Sequence, residues 1–268
     1  MSGPGRVRRF RVHVPWLHIY GVLALLFLYL PLFMVVLFSF NSGASTRFPI
    51  QSLTLSWYER ALSSEVVLAA VRNSIVVGLG TTVLTAILGT MAALGTVRRR
   101  FVGQRYLTGL FMLPLTVPLL IFAVALLTLL SAAGIRLSLW TVVLGHSVAL
   151  VPYVFAVVRA RLQDMDRFVD EAARDLGANA WRAFWAVTFP LIRSAILGAM
   201  FLVFALSIDM FVITLFTIGP QSTLPLVVFG MLRRGIDPSL NAISTLLLML
   251  TAIVLIVTSR FARVRVGP

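Results

Sequence analysis

Few residues in this sequence combine the types and the spacing that covalent chemistry needs. A nucleotide-binding P-loop has the pattern GxxxxGK followed by Ser or Thr, and all 23 basic residues here are arginine, so the required lysine is absent. His13, His18 and His146 lack the spacing of metal ligands, and no GxSxG elbow is present, although composition alone leaves a serine–histidine–acid arrangement open. We therefore predict no catalytic residue, no P-loop and no metal site.

Asp209 is the one charged residue in the apolar stretch 194–232. A carboxylate inside a membrane is costly unless it faces a polar cavity or a partner. It could act as a counter-ion for a cationic cargo, make a structural hydrogen bond to a neighbouring helix, or lie at an outer mouth where water reaches it. His146, in GHSVALVP, is predicted to be a packed, hydrogen-bonded residue in preference to a gate.

A polar segment, EAARDLGANAWRAFWAVTFP at residues 171–190, separates two long apolar stretches. If it forms one helix, apolar residues recur on one face at steps of three and four. These residues are Ala173, Leu176, Ala180, Phe184 and Val187. Because carboxylates accompany the arginines in this part of the chain, we predict docking onto another protein in preference to a helix lying on the membrane surface.

The composition requires a membrane for most of the chain. The 268 residues are 59% hydrophobic and 12% charged, with a mean hydropathy of +0.98. A spanning helix needs about 20 apolar residues to cross roughly 30 Å of hydrocarbon. Six stretches have that length, namely 12–46, 73–97, 106–135, 137–158, 194–232 and 238–259. Since these runs are continuously apolar and do not alternate, we predict an all-α integral membrane protein with six transmembrane helices.

Arginine placement predicts the topology. Arginines cluster at 6–11, 98–105, 159–193 and 260–265, which the positive-inside rule places in the cytoplasm together with both termini. This distribution accounts for the net charge of +14 without a nucleic-acid partner. The basic N-terminus also resembles a signal peptide, but the apolar run continues through Leu37 without a convincing cleavage site, so we interpret it as an uncleaved first helix.

The predicted helices span about 17–39, 69–95, 107–130, 138–158, 195–217 and 240–258. In the second helix, Gly78, Thr82, Ala86 and Thr90 form one stripe of small residues and Thr81, Thr85, Gly89 and Ala93 a neighbouring one, which predicts close contact with another helix. Pro114, Pro118 and Pro152 are expected to bend the third and fourth helices. The outer segment from Gly219 onward is expected to re-enter the membrane or to pack against the bundle.

The polar segment resembles the EAA loop of ABC-importer permeases. That family has EAA, three residues, Gly, nine residues, Ile, one residue and Leu-Pro; this chain has Glu171, Ala172, Ala173, Gly177 and Pro190, with Val187 and Phe189 at the Ile and Leu positions. FSFN at 38–41, LSWYERAL at 55–62, RNSIVVGLG at 72–80 and IDMFVITLFTIGP at 208–220 extend the resemblance to permeases of the spermidine/putrescine type. Polyamine-type relatives commonly have two acidic residues where this chain has Asp209-Met210.

The resemblance implies a type I ABC-importer permease fold and a multi-pass protein of the bacterial inner membrane. It divides the chain into three parts. Residues 1–66 hold the cytoplasmic N-terminus, the first transmembrane helix and the outer loop. Residues 67–260 are the transmembrane domain, with a cytoplasmic coupling loop at 159–194, and residues 261–268 are a cytoplasmic tail. Glu171, Ala172, Ala173, Gly177 and Pro190 would then couple the chain to a cytoplasmic ABC ATPase dimer, and Gly177 would permit the turn. The other implied partners are a homologous second permease, an extracytoplasmic solute-binding protein and membrane lipid. ATP-Mg would bind the ATPase, and this chain would hold no cofactor.

Polyamine import by alternating access, with Asp209 in the translocation path, is the leading functional hypothesis. The cargo alternatives are an opine, an amino acid derivative, an aminophosphonate or an iron chelate, because fold-level likeness does not decide the substrate. A proton-coupled secondary transporter using Asp209 is the competing mechanism, and a membrane enzyme would require clustered reactive groups that the sequence does not display. Arg233 and Arg234 are either a docking point for an acidic binding protein or an ordinary solvated pair.

Overall fold

A computed structural model of the protein describes residues 15–43, 50–98, 101–166, 168–234 and 238–263. Residues 1–14 and, of the predicted tail 261–268, residues 264–268 lie outside this range. The helices are α1 (Pro15–Ser39), α2 (Ser56–Ser63), α3 (Glu65–Arg98), α4 (Gln104–Met112), α5 (Leu119–Ala132), α6 (Leu139–Gln163), α7 (Phe168–Asp175), α8 (Ala180–Ala183), α9 (Phe189–Asp209), α10 (Val212–Thr217), α11 (Leu224–Arg234) and α12 (Ser239–Arg263). The predicted all-α class is confirmed.

Four segments of the described chain are long and apolar enough to cross a membrane: Ile19–Ser39, Glu65–Arg98, Leu139–Gln163 and Ala180–Asp209. The pair Gln104–Leu115 and Leu119–Ala132 adds a fifth span if its two halves count as one. The sixth predicted helix corresponds to α12, whose described apolar stretch, Ser239–Ile253, is shorter than the others.

Proline bends one predicted helix and leaves another continuous. The axes of Gln104–Leu115 and Leu119–Ala132 differ by 102°, with Pro114 in a 3-10 turn and Pro118 immediately before α5. A proline removes a backbone donor and clashes with the preceding turn, which explains the break. The bend predicted for the third helix is therefore confirmed. Helix α6, by contrast, is a single helix through Pro152.

The core lies where α3, α6 and α9 pack together. The two small-residue stripes of α3 make the close contacts that their spacing predicts. A Cβ atom at Gly78 would lie 3.0 Å from Phe204 of α9, and one at Gly89 would lie 2.8 Å from Val154 of α6. Small residues thus allow the helix backbones to approach, which is a principal source of packing energy in a membrane.

Substitution of Gly89 by alanine is expected to destabilise this helix crossing. The added methyl group would lie 3.0 Å from the backbone nitrogen of Phe155 as well as against Val154, so the α6 backbone must shift. Overpacking of this kind costs about 1–3 kcal/mol. The measurement is the melting temperature of the purified protein in detergent, which Gly89→Ala should lower. Gly95→Ala is the matched control on the same helix, because no atom lies within 4 Å of its Cβ position; equal melting temperatures for the two variants would contradict the close crossing.

The outer segment after Gly219 packs against the bundle. Asn73 Nδ2 of α3 donates to the Ser222 carbonyl over 2.8 Å, and Ser74 Oγ accepts from the Leu224 amide over 2.9 Å. These two contacts hold the start of α11 on α3. Of the two arrangements predicted for this segment, packing against the bundle is therefore the one observed.

Candidate functional site

The polar segment contains two short helices joined by a glycine turn. Helix α7 ends at Asp175, and Gly177 has a φ of +86°, a left-handed conformation that glycine adopts without a Cβ penalty. The Ala178 amide donates to the Ala173 carbonyl over 3.1 Å, which is the closing bond of a Schellman cap. The expectation that Gly177 permits a turn is confirmed.

A new helix starts directly after this turn. Asn179 Oδ1 accepts a hydrogen bond of 2.8 Å from the Arg182 amide, a side-chain N-cap for α8. The predicted continuous apolar stripe from Ala173 to Val187 is therefore wrong, because the chain changes direction at Gly177 and the positions before and after it do not share one helix face.

The motif residues Glu171, Ala172 and Ala173 all lie on α7. The side chain of Glu171 is outside the described residues. Ala172 is exposed and Ala173 is half-buried. Pro190 lies beyond the turn, near the start of α9, and is exposed. Its ring has no N–H group to donate to the preceding turn, and the residues just before it, Phe184–Thr188, form a π-helical turn.

Large apolar side chains in the polar segment and just before it are exposed. Leu176 is 89% exposed, Phe168 72% and Trp181 69%. The aromatic rings pack on one another, with centroids 5.7 Å apart for Trp181 and Trp185 and 4.9 Å apart for Trp185 and Phe189. An exposed aromatic cluster of this kind is typical of a protein interaction surface.

A continuous helical rod connects the polar segment to Asp209. Helix α8 passes through a π-helical turn at Phe184–Thr188 into α9. The Phe189 amide bonds the Phe184 carbonyl, five residues back, immediately before Pro190 interrupts the series of donors. The resulting segment, Ala180–Asp209, is 30 residues long.

The rod ends at a break that contains Asp209 and Met210. The fifth predicted helix, at about 195–217, is therefore wrong as a single element: α9 stops at Asp209, Met210 is extended with φ −74° and ψ 100°, and α10 starts at Val212. Asp209 is exposed. Non-helical backbone at membrane depth is tolerated where it is buried in protein or lines a cavity.

Met210 lines a cavity of about 110 Å³. The bend after α4 and the first turn of α5 contribute one wall, and α6 contributes another, through Tyr153. The other lining residues are Pro114, Leu115, Val117, Leu119, Phe122, Ala149 and Leu150. The proline bend and the break between α9 and α10 thus meet at one small cavity.

His146 is buried beside the break and bridges its two sides. Its Nδ1 is 2.8 Å from Ser207 Oγ on α9, and its Nε2 is 2.9 Å from Thr214 Oγ1 on α10. The predicted packed, hydrogen-bonded histidine is confirmed. Ser207 and Thr214 were not predicted from the sequence, because hydroxyl residues on membrane helices commonly bond only their own backbone.

Arg233 stacks on an aromatic ring of its own helix. Its guanidinium lies 4.7 Å from the centroid of Phe229, while the side chain stays exposed. The side chain of Arg234 is outside the described residues. The contact of Arg233 is a cation–π interaction within α11, and it leaves both predicted roles of the arginine pair open.

Comparisons with known proteins support one family. A family model described as "Binding-protein-dependent transport system inner membrane component" matches residues 85–266. The chain is 36% identical to the putrescine transport system permease protein PotI of Escherichia coli (strain K12) over 259 residues, covering 91% of this chain and 89% of PotI. It is 31% identical to the spermidine/putrescine transport system permease protein PotC of the same strain over 240 residues, covering 88% and 90%.

Solved structures share the fold at low sequence identity. A bacterial ABC transporter involved in the import of the acidic polysaccharide alginate has a TM-score of 0.76 at 17% identity, covering 96% of this chain and 99% of that chain. The bacterial alginate ABC transporter in complex with an alginate pentasaccharide-bound periplasmic protein has a TM-score of 0.69 at 13% identity, covering 92% and 94%. This similarity is evidence for the fold and not for the cargo.

Proposed function

Because this chain belongs to the family of binding-protein-dependent transport system inner membrane components, we propose that it forms half of the translocation pathway of an ABC importer for polyamines. The chain is a permease subunit of the bacterial inner membrane with the type I permease fold, and ATP hydrolysis takes place in a separate ATPase. Its partners are that ATPase and a solute-binding protein. A homologous second permease, which the resemblance implies, would form the other half of the pathway.

The proposed cargo depends most on one observation, the exposed carboxylate of Asp209 at the end of α9, next to the cavity-lining Met210. The C-terminus of a helix carries a partial negative charge, which adds to that of the carboxylate. An ammonium group would find two favourable electrostatic sources at this position, and a polyamine supplies such groups at intervals along an apolar chain. The permease relatives PotI and PotC carry putrescine or spermidine in their names, which supports the same cargo class.

The polar segment is the proposed docking site for the ATPase. Glu171, Ala172, Ala173, Gly177 and Pro190 would shape it, and the exposed aromatic cluster would seat in a groove of the ATPase. ATP-Mg would bind to the ATPase dimer, and this chain would hold no cofactor. Closure of the ATPase would draw the polar segments of the two permeases together and open the pathway outward, and hydrolysis would reset it inward.

Reconstitution of the assembled importer in proteoliposomes tests the function. The chain is purified with its co-purifying ATPase, second permease and binding protein, and uptake of radiolabelled putrescine and spermidine is measured with ATP inside the vesicles. We expect ATP-dependent uptake that excess unlabelled polyamine suppresses and an uncoupler leaves unchanged.

Two outcomes would contradict parts of this proposal. Suppression by an opine, an amino acid derivative, an aminophosphonate or an iron chelate, with no effect of polyamines, would replace the cargo and keep the ABC mechanism. Uptake that collapses with an uncoupler and survives removal of the ATPase would instead favour a proton-coupled secondary transporter using Asp209.

A further inference from the structure

On the premise of the proposed function, we propose that His146 is a positioning residue that joins the two sides of the α9–α10 break, so that movement of the polar segment reaches the cavity. The inference concerns how movement passes from the polar segment to the cavity within this chain, and it does not depend on which cargo is carried. The first observation behind the proposal is that one helical rod, Ala180–Asp209, extends from the exposed aromatic cluster to the break.

Beyond the break, α10 is attached to α6. Thr141 Oγ1 donates to the Thr217 carbonyl over 2.6 Å. A Cβ atom at Gly145 would lie 2.8 Å from Ile213, so the absence of a side chain at Gly145 allows α10 to pack closely against α6. Helix α6, which carries His146, therefore packs against both the rod and α10. Movement of the rod reaches α10 through α6 and through the contacts at the break.

The hydrogen bonds of His146 form a directed chain across this break. The hydroxyl of Thr214 donates its single hydrogen to the Met210 carbonyl over 2.6 Å, so Thr214 Oγ1 must accept from His146 Nε2–H. In a neutral imidazole the other nitrogen is an acceptor, and it receives the hydroxyl hydrogen of Ser207. The chain thus connects the end of the rod, through His146 and Thr214, to the backbone of the cavity-lining Met210.

Burial makes this chain difficult to replace by water. His146 and Thr214 are each 1% exposed, and Ser207 is 3% exposed. Loss of one member leaves buried polar partners unsatisfied, which costs more than the hydrogen bond itself contributes. The break contains neither Gly nor Pro, so its geometry depends on tertiary contacts such as these.

Matched substitutions test the proposal in the complete importer. Thr214→Val and Ser207→Ala each remove one hydroxyl, and His146→Leu removes both links. Thr214→Ser keeps the hydroxyl and serves as the conservative rescue. Thr85→Val is the control, because Thr85 is fully buried but donates only to the Thr81 and Thr82 carbonyls of its own helix. The measured quantity is cargo transported per ATP hydrolysed, with the loaded binding protein present.

We expect Thr214→Val, Ser207→Ala and His146→Leu to retain stimulated ATP hydrolysis but to lower transport per ATP by about tenfold, with Thr214→Ser and Thr85→Val close to wild type. A tenfold loss corresponds to about 1.4 kcal/mol, within the range for a buried unsatisfied polar group. Unchanged transport per ATP in all three variants would overturn the proposal. So would equal loss in Thr85→Val or no rescue by Thr214→Ser, since a general packing defect then explains the result.

A cysteine reporter separates this inference from the function on which it rests. The chain has no cysteine, so Leu115→Cys, at the cavity, introduces a single thiol. Its labelling rate with a polar maleimide is compared with and without a non-hydrolysable ATP analogue. We expect the analogue to change the rate in otherwise wild-type protein and to have no effect with Thr214→Val. A change that persists with Thr214→Val overturns the role of His146 and leaves the proposed function intact. If the analogue causes no change even without Thr214→Val, the cavity does not respond to nucleotide and the inference is overturned, while the uptake measurement alone decides the proposed function.

Discussion

Replacement of Gly177 with valine is expected to release the ATPase from the importer and to abolish ATP-driven uptake. The left-handed φ of +86° at this residue costs about 1–2 kcal/mol for an ordinary L-residue, and a β-branched side chain tolerates it least. Relief of that strain would change the angle between α7 and α8 and displace Trp181 relative to Leu176. The measurement is pull-down of the tagged permease from mild detergent, with the co-purifying ATPase quantified and uptake measured in parallel.

Two matched variants separate the docking geometry from backbone strain in general. Gly103 also has a left-handed φ, +96°, with no atom within 4 Å of its Cβ position, but it lies in the turn before α4. Gly103→Val should therefore retain the ATPase. Gly177→Asn should retain it in part, because asparagine adopts the left-handed region more readily than valine. Equal ATPase recovery with Gly177→Val and Gly103→Val would remove the turn at Gly177 from the coupling mechanism.

The features that the sequence predicts correctly are those whose causes are local. Pro114 and Pro118 lack backbone donors and lie four residues apart, so together they interrupt one helix, whereas the single Pro152 lies inside a continuous α6. The small-residue stripe through Gly89 predicts a close helix contact because spacing of four places its members on one face. Gly177 falls at the turn in the matching family pattern, and the same conformational freedom accounts for its position in the structure.

The break between α9 and α10 has a nonlocal cause. The sequence IDMFV at 208–212 contains no Gly or Pro and is apolar apart from Asp209, so it predicts a continuous helix. His146, which bonds both sides of the break, lies 61 residues from Ser207 and 68 from Thr214 along the chain. No pattern within a helix-sized window includes all three residues. For the same reason the sequence identifies Asp209 as unusual but does not place it beside a cavity.

Asp209→Asn is expected to lower the efficiency of polyamine uptake by about 10–100-fold. Asparagine keeps the size of the side chain and its hydrogen-bonding oxygen but removes the charge. A hydrogen bond to a charged group contributes about 1.5–3 kcal/mol, and each 1.4 kcal/mol is a factor of ten. Since Asp209 is exposed at the end of α9, its carboxylate has no buried ion pair among the described residues whose loss would unfold the chain. The measurement is the concentration dependence of putrescine and spermidine uptake by the reconstituted importer.

Two variants serve as controls for Asp209→Asn. One removes a charge at another position, and the other keeps the charge at position 209. Asp164 is an exposed carboxylate at the C-terminus of α6, on the predicted cytoplasmic side, so Asp164→Asn should leave uptake unchanged. Asp209→Glu keeps the charge and shifts it by one methylene, so it should recover most of the loss. If Asp209→Asn transports polyamines as well as wild type while ATP drives uptake, the cargo cation does not contact this carboxylate. A different result would be that Asp209→Asn abolishes uptake and that an uncoupler abolishes uptake by the wild-type protein. In that case Asp209 carries a proton, and the proton-coupled mechanism replaces the ATP-driven one.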